Sequence, residues 1–278
     1  MLECILDSLI DTIKLIPYLL VTFMILEYLE HKLSKKNEKI LKKNKKYGPI
    51  IGALLGALPQ CGFSTMAASL FSSRVITVGT LIAVFLATSD EMLPIMISEK
   101  IPILEIIYII SFKVIIGIIV GLLIDTVIKY KGNTKDIHHL CEKEHCDCDS
   151  DGIIISSIKH TLKIAIFILI ANLGISLLIN WMGEETLESL LLRNNPITYF
   201  IASLIGLIPN CASSVIMTEL YISNFISLGN LLSGLLTGSG IGILILFRTN
   251  EDIKENFKIL GIIYTVGVII GFLTDIII

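Results

Sequence analysis

Hydrophobic residues along this chain form long runs, and most of the charged residues fall between them. The runs cover residues 9–29, 49–73, 75–97, 103–128, 161–182, 197–223, 225–247 and 257–278. An apolar run of about 20 residues is long enough to cross a bilayer as a helix. The pattern therefore predicts an all-α polytopic membrane protein.

One type of polar interruption occurs in two of the apolar runs. Pro59-Gln60-Cys61-Gly62 stands in one apolar run and Pro209-Asn210-Cys211 in another, at a shift of 150 positions. Chance similarity aligns leucines and isoleucines, but it does not align prolines, cysteines, glycines and acidic residues in one frame. We therefore interpret the chain as two copies of one unit. The same shift aligns Gly79/Gly229, Ser89/Ser239, Glu105/Glu255, Gly117/Gly267, Gly121/Gly271 and Asp125/Asp275.

Positive charge orients the segments. Residues 30–47 carry eight lysines, and Lys129 and Lys131 follow the run 103–128, so both loops are expected in the cytoplasm. Three full crossings cannot begin and end on one side. The run 49–73, interrupted at its middle, is therefore predicted to be a re-entrant hairpin with its tip near the membrane midplane.

An odd number of crossings in each unit inverts the second copy. The prediction is two inverted repeats, each of three transmembrane helices plus one re-entrant broken-helix hairpin, or ten segments when half-helices are counted separately. The repeats should occupy residues 1–128 and 160–278, joined by a cytoplasmic linker over 129–159. We expect the protein in the cytoplasmic membrane with its N-terminus outside. The lipid bilayer is a predicted partner and nucleic acid is not.

The two interruptions carry the main candidate site. Inverted repeats with interrupted helices bind substrate where the breaks meet. Cys61 and Cys211 each stand directly before a half-helix, whose N–H groups favour a thiolate. Two thiolates suit a soft metal or metalloid, with Gln60 and Asn210 as further ligands. The alternative is that proline and glycine only kink two helices around packed cysteines, and the duplication argues against it.

Hydroxyl side chains follow each interruption. Ser64 and Ser214 fall in the first turn of the new half-helix, as do Thr65 and Ser213. Helix capping is the ordinary role of such residues. It is compatible with substrate binding, and we include Ser64 and Ser214 in the candidate site.

Two acidic residues lie inside an apolar run. Asp90 and Glu91 stand in 75–97, and ionisable groups at such depth are costly and usually functional. We interpret them as the coupling site, where protonation releases the substrate. The alternative is a structural ion pair between Asp90 and Lys113, which the sequence places at similar depth.

The linker carries a second candidate metal site. Three histidines and three cysteines fall within eleven residues, a density that is unusual for a solvated loop, although a plain polar linker is the alternative. Thiolate and imidazole suit zinc, copper and similar ions. The candidate ligands are His138, His139, Cys141, His145, Cys146 and Cys148.

Familiar catalytic motifs are absent from the sequence. There is no Walker phosphate loop, dinucleotide fingerprint, HExxH or GxSxG. We therefore expect no enzyme and no fixed cofactor. Transport would run on an ion gradient, with protons as the expected coupling ion, or on a partner.

With both Pro-amide-Cys interruptions and the linker, the chain resembles the ten-segment heavy-metal exporters. These are relatives of the ArsP-type permeases and carry labels such as manganese transporter or arsenic efflux protein. The resemblance extends over nearly the whole chain. It implies efflux of a metal or metalloid across the cytoplasmic membrane.

The resulting hypothesis is a secondary-active exporter of a heavy-metal cation or metalloid. Two alternatives remain open at this stage. Paired half-helix N-termini and cysteines also fit a sulfur-oxyanion transporter with a cysteine relay. A membrane thiol-redox enzyme is a third option, although the chain has no Cys-x-x-Cys motif.

Overall fold

Every regular element that the structure, a computed structural model, describes is a helix, which confirms the predicted fold class of an all-α polytopic membrane protein. It describes residues 47–58, 61–89, 92–127, 153–182 and 197–277, and parts of 9–24. The helices are α1 (Gly48–Gly56), α2 (Cys61–Ser72), α3 (Val78–Ala87), α4 (Met92–Ser98), α5 (Ile103–Val127), α6 (Ile153–Met182), α7 (Ile197–Gly206), α8 (Cys211–Ile222), α9 (Leu228–Thr237), α10 (Gly242–Thr249) and α11 (Ile253–Ile277).

The helix bounds repeat along the chain. Helices α7–α11 begin and end within one residue of the positions obtained by shifting α1–α5 by 150. The packing repeats as well: α3 packs against α1 and α5, and α9 packs in the same way against α7 and α11. The duplication found in the sequence is therefore also a duplication of structure.

Four stretches of the described residues are long and apolar enough to cross a membrane. Two of them are mostly buried inside the protein, with 75% of the apolar window buried in Val78–Ser98 and 89% in Leu228–Thr249. The other two, Ile103–Val127 and Ile253–Ile277, are only 28% and 33% buried. The stretches built from α3–α4 and α9–α10 are thus the central ones, and α5 and α11 lie outside them.

The expectation of one continuous helix over 75–97 and another over 225–247 is wrong. Each run contains two short helices with a break between them, which we call the first break (between α3 and α4) and the second break (residues 238–241, between α9 and α10). Gly238 and Gly240 interrupt the second run, and Gly240 has a positive φ of 54°. Pro94 falls in the first turn of α4, where its missing N–H is tolerated.

Helices α1 and α2 form the first hairpin, and α7 and α8 form the second. Gly48, at the start of α1, lies against Thr80 near the start of α3, and Gly56, at the end of α1, lies against the Val84 backbone. After α2 the chain returns to Thr77, the N-cap of α3. The first hairpin therefore enters and leaves at the same end of α3, with its tip about halfway along the Val78–Ser98 stretch.

The second hairpin repeats this arrangement. Gly206, at the end of α7, lies against Gly234 and Thr237 near the end of α9. After α8 the chain reaches Ser227, which caps α9 through a hydrogen bond from the Asn230 N–H. Both tips therefore lie at the level of the breaks.

The outgoing half of each hairpin packs on the opposite repeat: α2 packs along α10, and α8 along α4. Ser64 lies against Gly242 at one end of the α2–α10 pair, and the hydroxyls of Ser72 and Thr249 are 2.6 Å apart at the other. The two helices therefore run parallel outward from the breaks. One apolar cluster joins the repeats here, including Phe71, Phe85, Ile243, Leu246 and Ile263.

Helix α6 begins at Ile153, inside the region 129–159 that the sequence predicts to be linker. Residues 153–159 therefore extend the first helix of the second repeat. Residues 128–152, which include all six candidate metal ligands of the linker, lie outside the described residues.

Candidate functional site

Two aspartates fix the helices that lead to the breaks. Asp125, near the end of α5, accepts hydrogen bonds from Thr77 Oγ1 at 2.7 Å and the Gly79 N–H at 2.9 Å. Asp275, near the end of α11, accepts one from the Gly229 N–H at 2.7 Å. A carboxylate stabilises the amino end of a helix, so these residues anchor α3 and α9. Their recurrence is visible in the sequence, whereas this contact is visible only in the structure.

Hydroxyl groups reinforce the anchor of the second repeat. Tyr199 on α7 donates to Asp275 at 2.7 Å, and Ser227 donates to the same carboxylate. The entering half of the second hairpin is thereby held at the start of α9.

The second break lies between the two hairpins. A Cβ on Gly242 would be 2.8 Å from Ser64 Cβ and 2.9 Å from Phe85 Cε1. A Cβ on Gly238 would be 3.6 Å from Ser214 Oγ and 3.7 Å from the Gly206 backbone oxygen. The absence of a side chain on Gly242 lets the first hairpin reach the break, and the second hairpin is in van der Waals range of Gly238. Ser64 and Ser214, which are equivalent in the repeats, thus lie at its two ends.

The other hydroxyls of the first turns act locally. Thr65 Oγ1 donates to the Gly62 backbone oxygen at 2.8 Å, and Ser213 Oγ donates to that of Asn210 at 2.9 Å. Thr65 and Ser213 do not occupy equivalent positions. Ser64 and Ser214 do, and both are buried.

At the second tip, Asn210 is the N-cap of α8, and its Oδ1 accepts a hydrogen bond from the Ala212 N–H at 3.0 Å. Cys211 begins the helix as a buried thiol with 8% of its surface exposed. Asn210 therefore has a structural task at the position where the sequence places a ligand.

Several predicted site residues lie outside what the structure describes. These are Gln60, Asp90, Glu91, the side chain of Cys61, and the linker residues His138, His139, Cys141, His145, Cys146 and Cys148. The described residues contain no group of three or more His, Cys, Asp and Glu side chains that could hold a metal ion. The predicted metal ligands therefore remain predictions.

Lys113 lies at the first break. Its side chain is fully buried, and Nζ donates to the backbone oxygen of Thr88, the residue that follows α3. The carboxyl end of a helix carries partial negative charge, so this ammonium stabilises the end of α3. The proposed ion pair of Lys113 with Asp90 involves a residue outside the described set.

One glutamate binds each hairpin to the opposite repeat. Arg74, just after α2, forms a salt bridge of 2.8 Å with Glu255 near the start of α11. Tyr221, near the end of α8, donates to Glu105 near the start of α5 at 2.7 Å. Glu105 and Glu255 are equivalent in the repeats, which was the available signal for these contacts.

These contacts place the open ends of the hairpins. The first hairpin opens beside Asp125 at one end of α5, and the second opens beside Glu105 at the other. At 1.5 Å per residue these ends are about 30 Å apart, which is close to the thickness of a hydrocarbon core. Between the two openings lie the tips and the breaks.

An apolar cavity of about 250 Å³ lies elsewhere, between α5 and α11. Among its lining residues, only Tyr108 and Thr274 bear a hydroxyl group, and none is charged. The cavity is suited to hydrocarbon and separate from the candidate site. Its other lining residues are Phe112, Ile116, Ile270, Leu273 and Ile277.

Comparison with known proteins agrees with this architecture. Neither a curated protein nor a solved structure matches the chain. A family model described as "Putative, 10TM heavy-metal exporter" matches residues 1–184, which include the whole first repeat, the linker and all of α6. Because this match covers more than half of the 278 residues, the chain belongs to the family of ten-segment heavy-metal exporters.

Proposed function

We propose that this protein is a secondary-active transporter that exports a heavy-metal cation or metalloid from the cytoplasm. The observation that carries the proposal is the position of Ser64 and Ser214 at the two ends of the second break. Both hairpin tips thereby reach one buried place in the molecule. Membership of the exporter family supports heavy metal as the substrate class.

We further propose that the repeats are inverted. The opposite openings of the hairpins support this arrangement, because a first hairpin at the Asp125 end of α5 and a second at the Glu105 end face opposite sides. Positive charge in the loops 30–47 and 129–131 favours a cytoplasmic opening for the first hairpin. Access to the substrate would then alternate between the hairpins across one central site.

Within that site we assign Cys61 and Cys211 as thiolate ligands of the substrate. Cys211 begins a half-helix, and its buried position beside the amino end of α8 supports this role. Gln60 and Asn210 complete the ligand set, with Ser64 and Ser214 at its edge. Asp90 or Glu91 couples release to proton entry, and the histidines and cysteines of residues 138–148 collect the metal in the cytoplasm.

Transport of metal by vesicles that contain the full chain tests the proposal. Cys61→Ser and Cys211→Ser should each reduce metal transport strongly, because a hydroxyl is a poor ligand for soft metals. Ser72→Ala provides a matched control, since Ser72 lies at the outer end of the same hairpin and bonds to Thr249. Full transport by both cysteine variants would refute the assignment of the site.

A bifunctional thiol reagent with a short bridge tests the meeting of the tips. We expect it to join Cys61 to Cys211 in a variant that lacks the other four cysteines. Reaction of the two thiols only with separate reagent molecules would contradict a shared pocket. Vesicle uptake of a labelled sulfur oxyanion addresses the alternative substrate class, and its absence would remove that alternative.

A further inference from the structure

The two breaks occupy equivalent positions in the repeats but differ in charge. At the first break, the ammonium group of Lys113 bonds to the Thr88 backbone oxygen at the carboxyl end of α3. The residue equivalent to Lys113 in the second repeat is Ile263, which is fully buried. Ile263 belongs to the apolar cluster that contains Leu236, just before the second break, and Ile241, within it. The first break thus contains the ammonium group of Lys113, whereas the equivalent position at the second break holds the alkyl side chain of Ile263.

The second break itself contains no charged residue. Residues 237–242 read Thr-Gly-Ser-Gly-Ile-Gly. Helix α9 ends here. The Gly234 carbonyl accepts hydrogen bonds from the Gly238 N–H and the Thr237 hydroxyl, and the carbonyl groups after it form the carboxyl end of the helix. They carry the partial negative charge that Lys113 meets in the first repeat. The carboxyl end of α9 is therefore attractive to a positive ion.

Ser239 supplies an independent observation. Its side chain is fully buried within the second break, and its hydroxyl has no hydrogen-bond partner in the part of the chain that the structure describes. The equivalent Ser89 donates to the Ala87 backbone oxygen at 3.2 Å. An unsatisfied buried polar group costs about 1–3 kcal/mol, and a bound ion or water is a common reason for one.

We propose that the second break binds a small monovalent metal cation of the size of Na⁺. The ligands would be the Ser239 hydroxyl and backbone oxygens at the carboxyl end of α9. These ligands are neutral oxygens, whereas divalent ions are usually held by carboxylates, which residues 237–242 lack. None of these residues titrates, so the site does not carry a proton. Unwound backbone and half-helix carboxyl ends hold Na⁺ in other repeat-built transporters.

The position of this cation connects it to both hairpins. Gly238 lies beside Ser214, and Gly242 lies beside Ser64. An ion at Ser239 would therefore stabilise the arrangement in which both tips meet the second break. Binding of the ion is inferred from the two breaks alone, whereas a role for it in coupling rests on the proposed function.

Equilibrium binding of radioactive Na⁺ to the purified full chain tests the proposal, in choline chloride and without heavy metal. Wild type should bind Na⁺ saturably. Ser239→Ala should weaken the affinity by about tenfold or more, because it removes a ligand. Ser89→Ala is the matched control from the first repeat and should leave the affinity unchanged.

Ile263→Lys gives a second test, because it places an ammonium group where the first repeat has one. A folded Ile263→Lys variant should no longer bind Na⁺, and its melting temperature should no longer depend on Na⁺. If this variant does not fold, Ser239→Ala decides alone.

Absence of saturable Na⁺ binding by wild type would overturn the proposal, and so would unchanged affinity in Ser239→Ala. Because the assay contains no heavy metal, its failure is distinct from a failure of metal transport.

Discussion

At Gly242 the two repeats approach each other closely beside the candidate site. A methyl group there would lie 2.8 Å from Ser64 Cβ and 3.0 Å from the Ser64 carbonyl carbon. We predict that Gly242→Ala lowers the free energy of unfolding by about 1–3 kcal/mol, as overpacking does in other cores. It should also impair transport by displacing the first hairpin. Thermal unfolding in detergent measures the stability.

Gly261→Ala is the control for that substitution. Gly261 lies in α11 with nothing within 4 Å of an added Cβ. Because alanine favours a helix over glycine, this variant should be as stable as wild type or slightly more stable. Equal stability of the Gly242 and Gly261 variants would contradict a tight contact at the second break.

Asn210 combines a helix cap with a proposed ligand, and a pair of substitutions separates the two tasks. Asn210→Ala should destabilise the protein by about 1 kcal/mol, because it removes the acceptor of the Ala212 N–H. Asn210→Ser should keep the cap and the stability. If the amide also binds the substrate, Asn210→Ser will weaken metal affinity in a calorimetric titration. Wild-type affinity in Asn210→Ser would leave Asn210 with the cap alone.

Comparison of the repeats in the sequence reveals what they have in common. Identical residues at the shift of 150 pointed to Cys211, Ser214 and Asp275 as the counterparts of Cys61, Ser64 and Asp125. The Lys113–Thr88 contact was missed because the decisive signal is a difference, lysine against Ile263. Which carbonyl group a buried lysine reaches depends on packing between helices, and hydropathy does not contain that information.

At the scale of elements, hydropathy predicted the apolar segments well and the breaks poorly. Residues 225–247 are apolar enough to look like one spanning helix, yet α9 ends at Thr237 and α10 begins at Gly242. Gly238 and Gly240 were visible signals, but glycine occurs within many membrane helices. The carboxylates that anchor α3 and α9 lie 46 residues further along the chain. Only the tertiary structure brings them to these helix ends.

The two contacts at the hairpin openings lead to a paired prediction. Glu255→Gln removes the ion pair with Arg74. The side chains of Arg74 and Glu255 are only 19% and 24% exposed. We expect a loss of about 1 kcal/mol. Hydrogen exchange should become faster in the last turn of α2 and remain unchanged in the last turn of α8.

Tyr221→Phe should change exchange at the other hairpin, because it removes the hydrogen bond from α8 to Glu105 and keeps the ring. Exchange should become faster at the end of α8 alone. Equal changes at both hairpins in either variant would show that the hairpins do not open separately.

At the scale of the whole molecule, the linker and the membrane repeats are expected to act as separate units. A variant without residues 138–149 should lose metal that binds to the linker and keep its melting temperature. Metal that binds to the hairpin tips should remain. Elemental analysis of the purified protein, before and after removal of loosely bound ions, measures both populations. A full loss of metal in this variant would place all binding in the linker.

The exchange of hairpin halves between the repeats has a consequence for the origin of the chain. Helix α2 packs on α10 of the other repeat as well as on its own, and α8 packs in the same way on α4. A polypeptide of half this length would leave that surface bare. With the repeats inverted as proposed, two such polypeptides would cover it by pairing upside down relative to each other, as a homodimer whose subunits insert in both orientations. Once the halves are fused, each is free to diverge, and one already holds a lysine where the other holds an isoleucine.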